Sequence, residues 1–232
     1  MPADSPGVSV VIPVLNERES LARALGSIDL PGIERIVVDG GSSDGSPELA
    51  RKLGADLVLD SAPGRALQIE LGRRRASGEV ILFLHADTRL EAGWLESLRA
   101  ALHDPGVAGG AFSLRFEPPR LALRVIEVAV AWRCRLARLP YGDQALFVRS
   151  QVLERVGGIP PVPLFEDLDL VRTIRRSGKL ALLASGALTS PRRYERNGVW
   201  RTVLRNLLAV AAWWLGLPRD RVSIWYRRAP AR

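Results

Sequence analysis

Short runs of Val, Ile and Leu alternate with helical segments over residues 8–84, and this alternation constrains the fold more than any other feature of the chain. The strand-like runs are 8–14, 33–39, 55–60 and 80–84, and residues with helical spacing fill 17–28 and 65–76. A further helix is predicted to begin at Pro47, with Ser46 as its cap. Nearly continuous apolar strands that alternate with helices are typical of a parallel sheet covered on both faces. The sequence therefore predicts an α/β fold with a mostly parallel sheet.

The second half of the chain is less regular but contains the same kinds of element. Strands are predicted at 107–116, 145–148 and 180–184, and helices at 121–139, 165–176 and 198–216. No segment between these elements is long or polar enough to act as a linker. The prediction is a single domain over 1–232, in which residues 1–7 form a loose leader.

Composition excludes several classes of protein. Hydrophobic residues make up 47% and charged residues 25%, which is typical of a globular chain and not of a disordered one. The single cysteine, Cys134, rules out an intramolecular disulfide and a multi-thiolate metal site, and we expect it to serve packing. Two histidines make a His-rich zinc centre unexpected. The net charge of +8 suits nucleic acid, phosphorylated small molecules or anionic lipid, so charge alone does not choose among them.

The C-terminal segment bears on membrane contact. Its longest uncharged apolar run, 207–217, has 11 residues, whereas a spanning helix needs roughly 20. The first residues lack the basic and apolar regions of a signal peptide, so a cytoplasmic chain is expected. The segment 199–226 mixes tryptophans with arginines. This mixture suits a helix lying in a membrane interface, and equally a helix packed on the core or on a second subunit.

Acidic and polar side chains follow three of the predicted parallel strands. Asn16 and Glu17 come after the first strand, Asp39 ends the second, and His85 and Asp87 follow the fourth. Ligands of open α/β sheets bind beyond the carboxyl ends of the strands, so these side chains mark a candidate site. An Asp after a strand is also often a helix cap or turn former. The dinucleotide fingerprint and the P-loop motif are both missing from the sequence, so neither chemistry is supported.

Four segments carry a resemblance to a known family. They are VIPVLNE at 11–17, VVDGGSSDGS at 37–46, LFLHADT at 82–88 and FEDLDL at 165–170. In order and spacing, the chain resembles family 2 glycosyltransferases over about 8–185. The HADT variant, with the segments 142–144 and 64–66, resembles a subgroup named for arsenosugar biosynthesis and radical-SAM-associated transferases. The resemblance implies a GT-A fold, with a Rossmann-like, mostly parallel sheet, helices on both faces and a C-terminal helical extension.

The resemblance implies that residues 8–118 bind a nucleotide-diphosphate sugar, UDP-linked. Asp39, as an exposed carboxylate ahead of a flexible loop that includes Gly41, would accept a hydrogen bond from uracil. The residues implied to line the base and ribose are Pro13, Asn16 and Glu17. Arg65 would pair with the pyrophosphate, because a guanidinium forks onto phosphate oxygens. From the residues alone, Arg65 is equally a solvated arginine at a helix start.

Asp87 matches the last position of the family's D-x-D motif. The resemblance implies that its carboxylate and donor phosphate oxygens bind Mg²⁺ or Mn²⁺, which would neutralise charge on the leaving nucleotide diphosphate. His85 departs from the family, since it stands where the first Asp contacts ribose, and Ala86 lies between the two. From the residues alone, His85 is equally a strand-end histidine with internal partners.

The resemblance implies that Asp167, in the acidic pair of the fourth motif, is the general base. At a helix start, the dipole and free N–H groups favour the ionised carboxylate, which can take the proton of an acceptor hydroxyl. Direct displacement by this route inverts the anomeric configuration. Glu166 would orient the acceptor or the loop. Asp169 is predicted to point elsewhere and to pair with Arg172 or Arg176.

Two further segments supply candidates in 119–196, the half predicted to hold acceptor and catalytic groups. Asp143 and Gln144 lie on a glycine turn and are expected to hydrogen-bond hydroxyls of the donor sugar or of the acceptor, with a plain turn as the alternative. Arg192 and Arg193 lie in a basic loop, which the resemblance implies closes over the pyrophosphate.

The leading prediction is a metal-assisted, inverting glycosyltransferase acting on an unidentified hydroxyl acceptor, a small molecule or a lipid-linked one. An amphipathic tail at 197–232 would contact the inner face of the cell membrane, and helices at 121–139 and 204–217 offer a homodimer contact. The alternative is a nucleotide-sugar-binding, catalytically weak subunit of a membrane-associated assembly. Nucleic acid is not an expected partner, because the arginines are spread along the chain and acidic groups occupy the ligand edge.

Overall fold

A computed structural model describes residues 7–227, so most of the predicted leader and positions 228–232 of the predicted tail lie outside the described residues. One sheet holds the strands in the order β3-β2-β1-β4-β7-β6-β8-β5. Strands β5 and β7 run antiparallel to their neighbours, and the other pairings are parallel. The strands are β1 Val8–Val14, β2 Ile33–Asp39, β3 Leu57–Asp60, β4 Val80–Phe83, β5 Thr88–Leu90, β6 Val107–Phe116, β7 Leu146–Arg149 and β8 Lys179–Thr189.

Helices cover both faces of the sheet. They are α1 Arg18–Ser27, α2 Ser46–Lys52, α3 Arg65–Arg75, α4 Trp94–Leu102, α5 Leu121–Ala137, α6 Ser150–Arg155, α7 Glu166–Ser177, α8 Arg192–Asn197, α9 Val199–Trp214 and α10 Arg219–Arg227. A 3-10 turn spans Gly142–Gln144. The predicted α/β class with a mostly parallel sheet is confirmed.

The apolar runs of the sequence explain the two-sided core. Along β1, Val10 and Ile12 pack with α1 and α4 on one face, while Val11 packs with α3 and α7 on the other. Alternate residues of a strand point to opposite faces, so a strand buried on both sides must be apolar throughout. This packing fixes the carboxyl ends of β1, β2 and β4 side by side.

The structure corrects the predicted start of α2. Gly45 precedes the helix with a φ of 80°, and Ser46 is the first helical residue rather than its cap. The Ser46 hydroxyl donates to Asp44 Oδ1 at 2.6 Å and accepts from the backbone N–H of Glu17 at 3.1 Å. Ser46 therefore joins the loops after β1 and β2, which an isolated reading of the helix start cannot reveal.

Several elements were not predicted. They are β5, α4, α6, α8 and α10. Helix α4 places Leu95, Leu98 and Leu102 in the core, at a spacing typical of a helix, so the signal was present in the sequence. Strand β8 continues to Thr189, five residues beyond the predicted end at 184, because it pairs with β6 as far as Thr189 and its last residues also pair with β5.

The C-terminal helices pack on the core through one side only. Ala209 and Ala212 of α9 and Val222 of α10 are buried against the face that carries α7. Trp200 of α9 is 72% exposed, and Leu215, directly after the helix, is 76% exposed. Within the described residues, no helix combines the length and apolarity needed to cross a membrane.

Candidate active site

The carboxyl ends of β1 and β2 are held together by a buried side chain of α3. Val14 lies opposite Asp39 in the sheet. Gln68 donates from Nε2 to the carbonyl oxygens of Val14 and Val38, at 2.8 Å each. Because Gln68 is 4% exposed, these bonds are shielded from water and fix the strand ends from which two of the predicted binding loops begin.

The loop after β2 is organised around Asp39. Its Oδ2 accepts hydrogen bonds from the backbone N–H groups of Gly41 and Ser42, at 2.9 and 2.8 Å, and its Oδ1 accepts one from the Ser42 hydroxyl. Asp39 is only 4% exposed, so the expectation of an exposed carboxylate was wrong. Gly41 is exposed and has a φ of 94°, which favours glycine. The carboxylate builds the loop, whose outer backbone faces solvent.

Asn16 fastens the loop after β1 to the loop after β2. It has a φ of 55°, an uncommon value that Asn tolerates. Its Oδ1 accepts a hydrogen bond from the Ser43 N–H at 2.9 Å, and its own N–H donates to the Ser42 hydroxyl at 2.8 Å. Pro13, in β1, lies on the wall of a small cavity shared with Arg65. The predicted base-binding and ribose-binding residues therefore form one connected edge.

Two carboxylates and one guanidinium meet beyond β1 and β4. Arg192 Nη2 lies 2.6 Å from Glu17 Oε2 and 3.6 Å from Asp87 Oδ2. Burial and the negative charge of Glu17 raise the pKa of Asp87, while Arg192 acts in the opposite direction. Ala86, between the two motif residues, is buried in the core and does not face this cluster. The two acids therefore face the Arg192 guanidinium at the predicted metal position.

Next to this cluster is a cavity of about 170 Å³. The predicted site residues on its wall are Arg65, His85, Asp143, Glu166, Asp167 and Arg193. These side chains come from α3, the end of β4, the 3-10 turn, the start of α7 and α8. Long-range folding therefore brings six of the predicted residues into one space.

Asp167 is oriented by backbone groups. Its Oδ2 accepts a hydrogen bond from the Gly142 N–H and its Oδ1 accepts one from the Leu168 N–H, both at 2.8 Å. Glu166 is buried and forms an ion pair with Arg65, whose Nε lies 3.2 Å from Glu166 Oε1. A Cβ atom on Gly142 would collide with the Arg65 guanidinium and would lie 3.1 Å from Asp167 Oδ2. Glycine at 142 therefore permits the close approach of Arg65 and Asp167.

His85 and Asp143 are two further titratable groups of the cavity. Burial lowers the pKa of His85 well below its usual 6.5, and the positive charge of Arg65 lowers it further, so the ring is neutral at pH 7. Among the described residues, His85 Nε2 has no hydrogen-bond partner and is closed off from solvent. Burial raises the pKa of Asp143, and the charge of Asp167 adds to this against the opposing effect of Arg133. The cavity therefore holds a neutral imidazole beside acidic groups.

Gln144 does not behave as predicted. Its Nε2 donates to the Phe112 carbonyl at 3.0 Å, and its Oε1 accepts from Arg133, from the Tyr141 N–H and from the Cys134 thiol. The side chain is 2% exposed, so the protein uses the amide internally and leaves it no access to sugar hydroxyls. Cys134 is buried as part of the same packing.

Asp169 has a different partner from the predicted one. It accepts hydrogen bonds from both terminal nitrogens of Arg219, one of them at 3.0 Å, and from Trp213 Nε1 at 3.3 Å. The local spacing favoured Arg172 or Arg176, but α9 and α10 fold against α7 and supply a bidentate arginine instead. Arg172 and Arg176 are thus left exposed.

Helices α9 and α10 form part of the wall of the cavity that contains Asp167, and the sequence did not predict this contribution. Asn206 and Tyr226 lie on its wall, and the Tyr226 hydroxyl donates to Asn206 Oδ1 at 2.8 Å. The Arg193 guanidinium lies 4.7 Å from the centre of the Tyr226 ring. A polar Asn among the apolar residues of α9 was the available signal for Asn206, whereas nothing in the sequence singled out Tyr226.

This sheet order, with helices on both faces and polar loops gathered beyond β1, β2 and β4, is that of the GT-A class of glycosyltransferase folds. Residues 9–158 match the sequence profile described as Glycosyl transferase family 2, and the chain belongs to this family. The arsenosugar and radical-SAM subgroup is not distinguished by these similarities.

Curated relatives agree with the family. The chain is 34% identical over 142 residues to an uncharacterised glycosyltransferase of Mycobacterium tuberculosis (H37Rv), covering 60% of this chain and 64% of the relative. It is 28% identical over 176 residues to glycosyltransferase AglE of Haloferax volcanii, covering 69% of this chain and 58% of the relative. The chain thus spans less than two thirds of the length of these relatives.

Solved structures share the fold at low sequence identity. Glucosyl-3-phosphoglycerate synthase of Mycobacterium tuberculosis, solved with Mn²⁺, UDP and glucosyl-3-phosphoglycerate, superposes with a TM-score of 0.63 at 20% identity, covering 92% of this chain and 81% of that one. Mannosyltransferase PcManGT of Pyrobaculum calidifontis, solved with GDP-Man and Mn²⁺, has a TM-score of 0.63 at 20% identity, covering 90% of this chain and 62% of that one.

Proposed function

We propose that this chain transfers a sugar from a nucleotide-diphosphate sugar, UDP-linked, to a hydroxyl group of an acceptor, with inversion at the anomeric carbon. The observation that carries the proposal is the position of Asp167, a partly exposed carboxylate held by two backbone N–H groups on the wall of a cavity. Arg65 and Arg193 lie on the same wall and supply positive charge for a diphosphate.

Asp167 is suited to take the proton of the acceptor hydroxyl. Each of its oxygens accepts one backbone hydrogen bond and retains a free lone pair, so the carboxylate can bind a further O–H group. Hydrogen bonds from two N–H groups fix its orientation before the substrate arrives, which lowers the cost of reaching the reactive geometry. Glu166 acts through Arg65, whose guanidinium it pairs and positions.

The residues of the Asp87 cluster fit a hard divalent cation. Asp87 and Glu17 present carboxylate oxygens to one point, where Arg192 supplies positive charge. Mg²⁺ and Mn²⁺ are suited to one or two carboxylates completed by water and phosphate oxygens. Asp87 would hold the ion, which supplies neutralisation of charge on the leaving diphosphate when bound. Arg192 would then be free to pair with the diphosphate.

The nucleotide would lie on the loops after β1 and β2. Pro13, Asn16 and Gly41 border this edge, and Asp39 keeps the Gly41 loop in shape through its backbone hydrogen bonds. His85 lies on the wall of the cavity, where its ring would border the donor. We also propose that the chain belongs to the arsenosugar and radical-SAM subgroup. This proposal is based on the HADT variant and on Asp143 in the 3-10 turn.

Replacement of the proposed base tests this function. Wild-type protein is incubated with a panel of UDP-sugars and Mn²⁺, and released UDP is measured. Asp167→Asn keeps the size of the side chain but removes the basic oxygen, so turnover should fall roughly 100-fold or more. The matched control is Asp220→Asn, an exposed Asp in the first turn of α10, which should retain wild-type turnover. Undiminished turnover by Asp167→Asn would exclude Asp167 as the base.

The second candidate function is a nucleotide-sugar-binding subunit with little turnover, which the replacement of the first motif Asp by His85 favours. The same panel separates the two candidates when binding is measured beside turnover. Donor binding by wild-type protein without release of UDP would support the second candidate.

The outer faces of the C-terminal helices support contact with the inner face of the cell membrane. Trp200 and Leu207 on α9 are 72% and 60% exposed, and Leu215 directly after the helix is 76% exposed. Arg201 and Arg221 lie on the same two helices and are exposed, so they can meet anionic head groups. We include this peripheral contact in the proposed function.

A further inference from the structure

A second and larger depression lies along the junction of α7 with α9 and the turn before α10. It has a volume of about 920 Å³, within the range of pockets that hold whole ligands. Leu168 borders both this groove and the cavity that contains Asp167. The groove therefore begins next to the proposed base and leads away from it along α7.

The groove carries positive charge that the protein does not neutralise. Arg172, Arg175, Arg176 and Arg219 line it, and its described lining contains no acidic residue. Arg219 is paired with Asp169. Arg172 and Arg176 are exposed and form no hydrogen bond or ion pair within residues 7–227. Two free guanidinium groups one helical turn apart are suited to a phosphate.

The rest of the groove is apolar and opens onto an apolar surface. Trp213 is oriented by the hydrogen bond from its Nε1 to Asp169. Trp214 and Leu217 are 67% and 49% exposed at the rim, next to Leu215, which is 76% exposed. An inorganic anion would make no apolar contact with the tryptophans, and a neutral lipid would offer no anionic partner to the free arginines. The combination fits a molecule that carries both an anionic group and an apolar chain.

We propose that the groove binds the phosphate and adjoining chain of a phospholipid acceptor whose head group carries a hydroxyl. The inference rests on the proposed transferase function, because it assigns an acceptor class to the same site. Arg172 and Arg176 hold the phosphate, Trp213 and Trp214 contact the chain, and the head group extends past Leu168 toward Asp167.

The spacing along α7 makes the head-group hydroxyl, and not the phosphate, the reacting group. Arg172 lies five residues beyond Asp167, about 7.5 Å along the helix axis at about 1.5 Å per residue. The hydroxyl oxygen forms the new bond to the anomeric carbon, the bond from that carbon to the diphosphate oxygen breaks, the proton passes to Asp167, and the nucleotide diphosphate leaves.

Titration with a monomeric phospholipid tests the groove without any sugar donor. Dihexanoylphosphatidylglycerol, below its micelle concentration, is titrated into the full chain by calorimetry beside inorganic phosphate and dihexanoylglycerol. The phospholipid should saturate one site, with an affinity roughly tenfold or more above that of either fragment. Similar affinity for phosphate and phospholipid, or for phospholipid and diacylglycerol, would overturn the proposal.

Two variants locate the site, with one matched control. Arg172→Gln combined with Arg176→Gln should weaken phospholipid binding roughly tenfold or more, because both charge-assisted hydrogen bonds are lost. Trp214→Ala, at an exposed position, should weaken binding of the phospholipid but not of inorganic phosphate. Arg75→Gln changes an exposed arginine of α3 and should leave binding unchanged. Phospholipid binding that is not weakened in the double variant would overturn the proposal that the groove is the binding site.

A failure of this titration can be distinguished from a failure of the proposed transferase function. Because no donor is present, loss of UDP release in the Asp167→Asn experiment has no bearing on this titration. A second arm uses phosphatidylglycerol vesicles to separate a single bound lipid from general membrane contact. Loss of vesicle sedimentation in the double variant with unchanged monomer binding would assign these arginines to the membrane surface and overturn the groove.

Discussion

Arg192 lies between two carboxylates that the proposed reaction needs for a different cation. Its Nη2 is 2.6 Å from Glu17 and 3.6 Å from Asp87. An ion bound by Asp87 therefore competes with the guanidinium for the same negative charge. Arg192 lowers the cost of having two acids so close when the ion is missing, and must shift when the ion binds.

Removing this competitor should strengthen metal binding. Arg192→Gln is expected to bind Mn²⁺ roughly severalfold more tightly than wild type in the absence of nucleotide, because the competing positive charge is gone. Calorimetric titration with Mn²⁺ measures the change. Asp87→Asn serves as the reference that loses binding. Equal or weaker Mn²⁺ binding by Arg192→Gln would show that Arg192 does not compete with the metal ion for these carboxylates.

At this scale, the sequence predicted which residues lie at the ligand edge better than it predicted their contacts. Strand-end positions follow from local alternation, so Asp39 and Asp87 were placed at the correct edge. Contacts with residues far along the chain do not follow from it. The pairing of Glu166 with Arg65 and the burial of Gln144 depend on how α3, α5 and α7 pack, and no local pattern encodes that packing.

At the scale of elements, β6 depends on two glycines. A Cβ atom on Gly110 would clash with the Ala181 carbonyl oxygen of β8 and would lie 2.6 Å from Cζ of Phe147 in β7. Gly109 meets the backbone of β7 in the same way. The strand therefore fits between its neighbours only without side chains at these positions.

Gly110→Ala should destabilise the fold by about 2 kcal/mol or more, because backbone atoms of β8 cannot move aside cheaply. Thermal unfolding measures the loss. Gly26→Ala is the control, since Gly26 lies in α1 with no atom within 4 Å of an added Cβ and no positive φ. It should leave stability unchanged or raise it by about 0.5–1 kcal/mol. An unchanged melting temperature for Gly110→Ala would contradict the assigned packing of β6.

Glu70 ties α3 to the loop after α6. Its carboxylate accepts hydrogen bonds from Arg73, from Arg74 and from the Ile159 N–H, at 2.7 to 2.9 Å. Burial raises the pKa of Glu70, but the hydrogen bonds from these three groups outweigh it and lower the pKa below the usual 4.5. A depressed folded-state pKa means that the stabilisation is complete above about pH 4.5 and is lost as the pH falls through the folded value.

Glu70→Gln should therefore lower stability by about 2 kcal/mol at pH 7. The difference from wild type should shrink as the pH falls below about 4.5, where wild-type Glu70 also becomes protonated. Urea unfolding across this pH range measures both effects. Glu48→Gln changes a side chain that is 72% exposed, with one 3.9 Å contact to Arg51, and should have little effect at any pH. A pH-independent difference for Glu70→Gln would contradict the role of its charge.

The shortest elements that the sequence did not predict share a physical cause. Strand β5 has three residues and α8 six, too few to show a period. They form because neighbours supply their partners, as the Thr88 and Thr189 hydroxyls do at 3.0 Å across β5 and β8. Long apolar strands such as β1 and β2 can be recognised from their own residues. Most elements in the first half were therefore predicted correctly.

At the scale of the whole molecule, two apolar stripes lie on neighbouring helices. Along α5, Leu121, Val125, Trp132 and Leu136 are between 55% and 86% exposed. The buried sides of α5 and α9 join one small cluster, so the outer stripe of α5 lies beside that of α9. Such an extended exposed apolar surface marks an interaction site.

Polar substitution of these stripes should reduce membrane binding. Leu204→Ser combined with Leu207→Ser, both at exposed positions of α9, is expected to lower co-sedimentation with phosphatidylglycerol vesicles roughly severalfold. Leu53→Ser, a 37% exposed leucine after α2, is the control and should not change it. Unaltered sedimentation together with conversion of a dimer to a monomer in solution would identify the stripe as a subunit contact.

Adjacent residues of helix α9 face different surroundings. Asn206 borders the cavity and bonds to Tyr226, whereas the next residue, Leu207, is 60% exposed on the outside. Replacement of Asn206 would alter the shape of the cavity, whereas replacement of Leu207 would alter only the outer surface of the protein. Substitutions on the outer side of this helix are therefore expected to change its surface contacts while leaving the cavity intact.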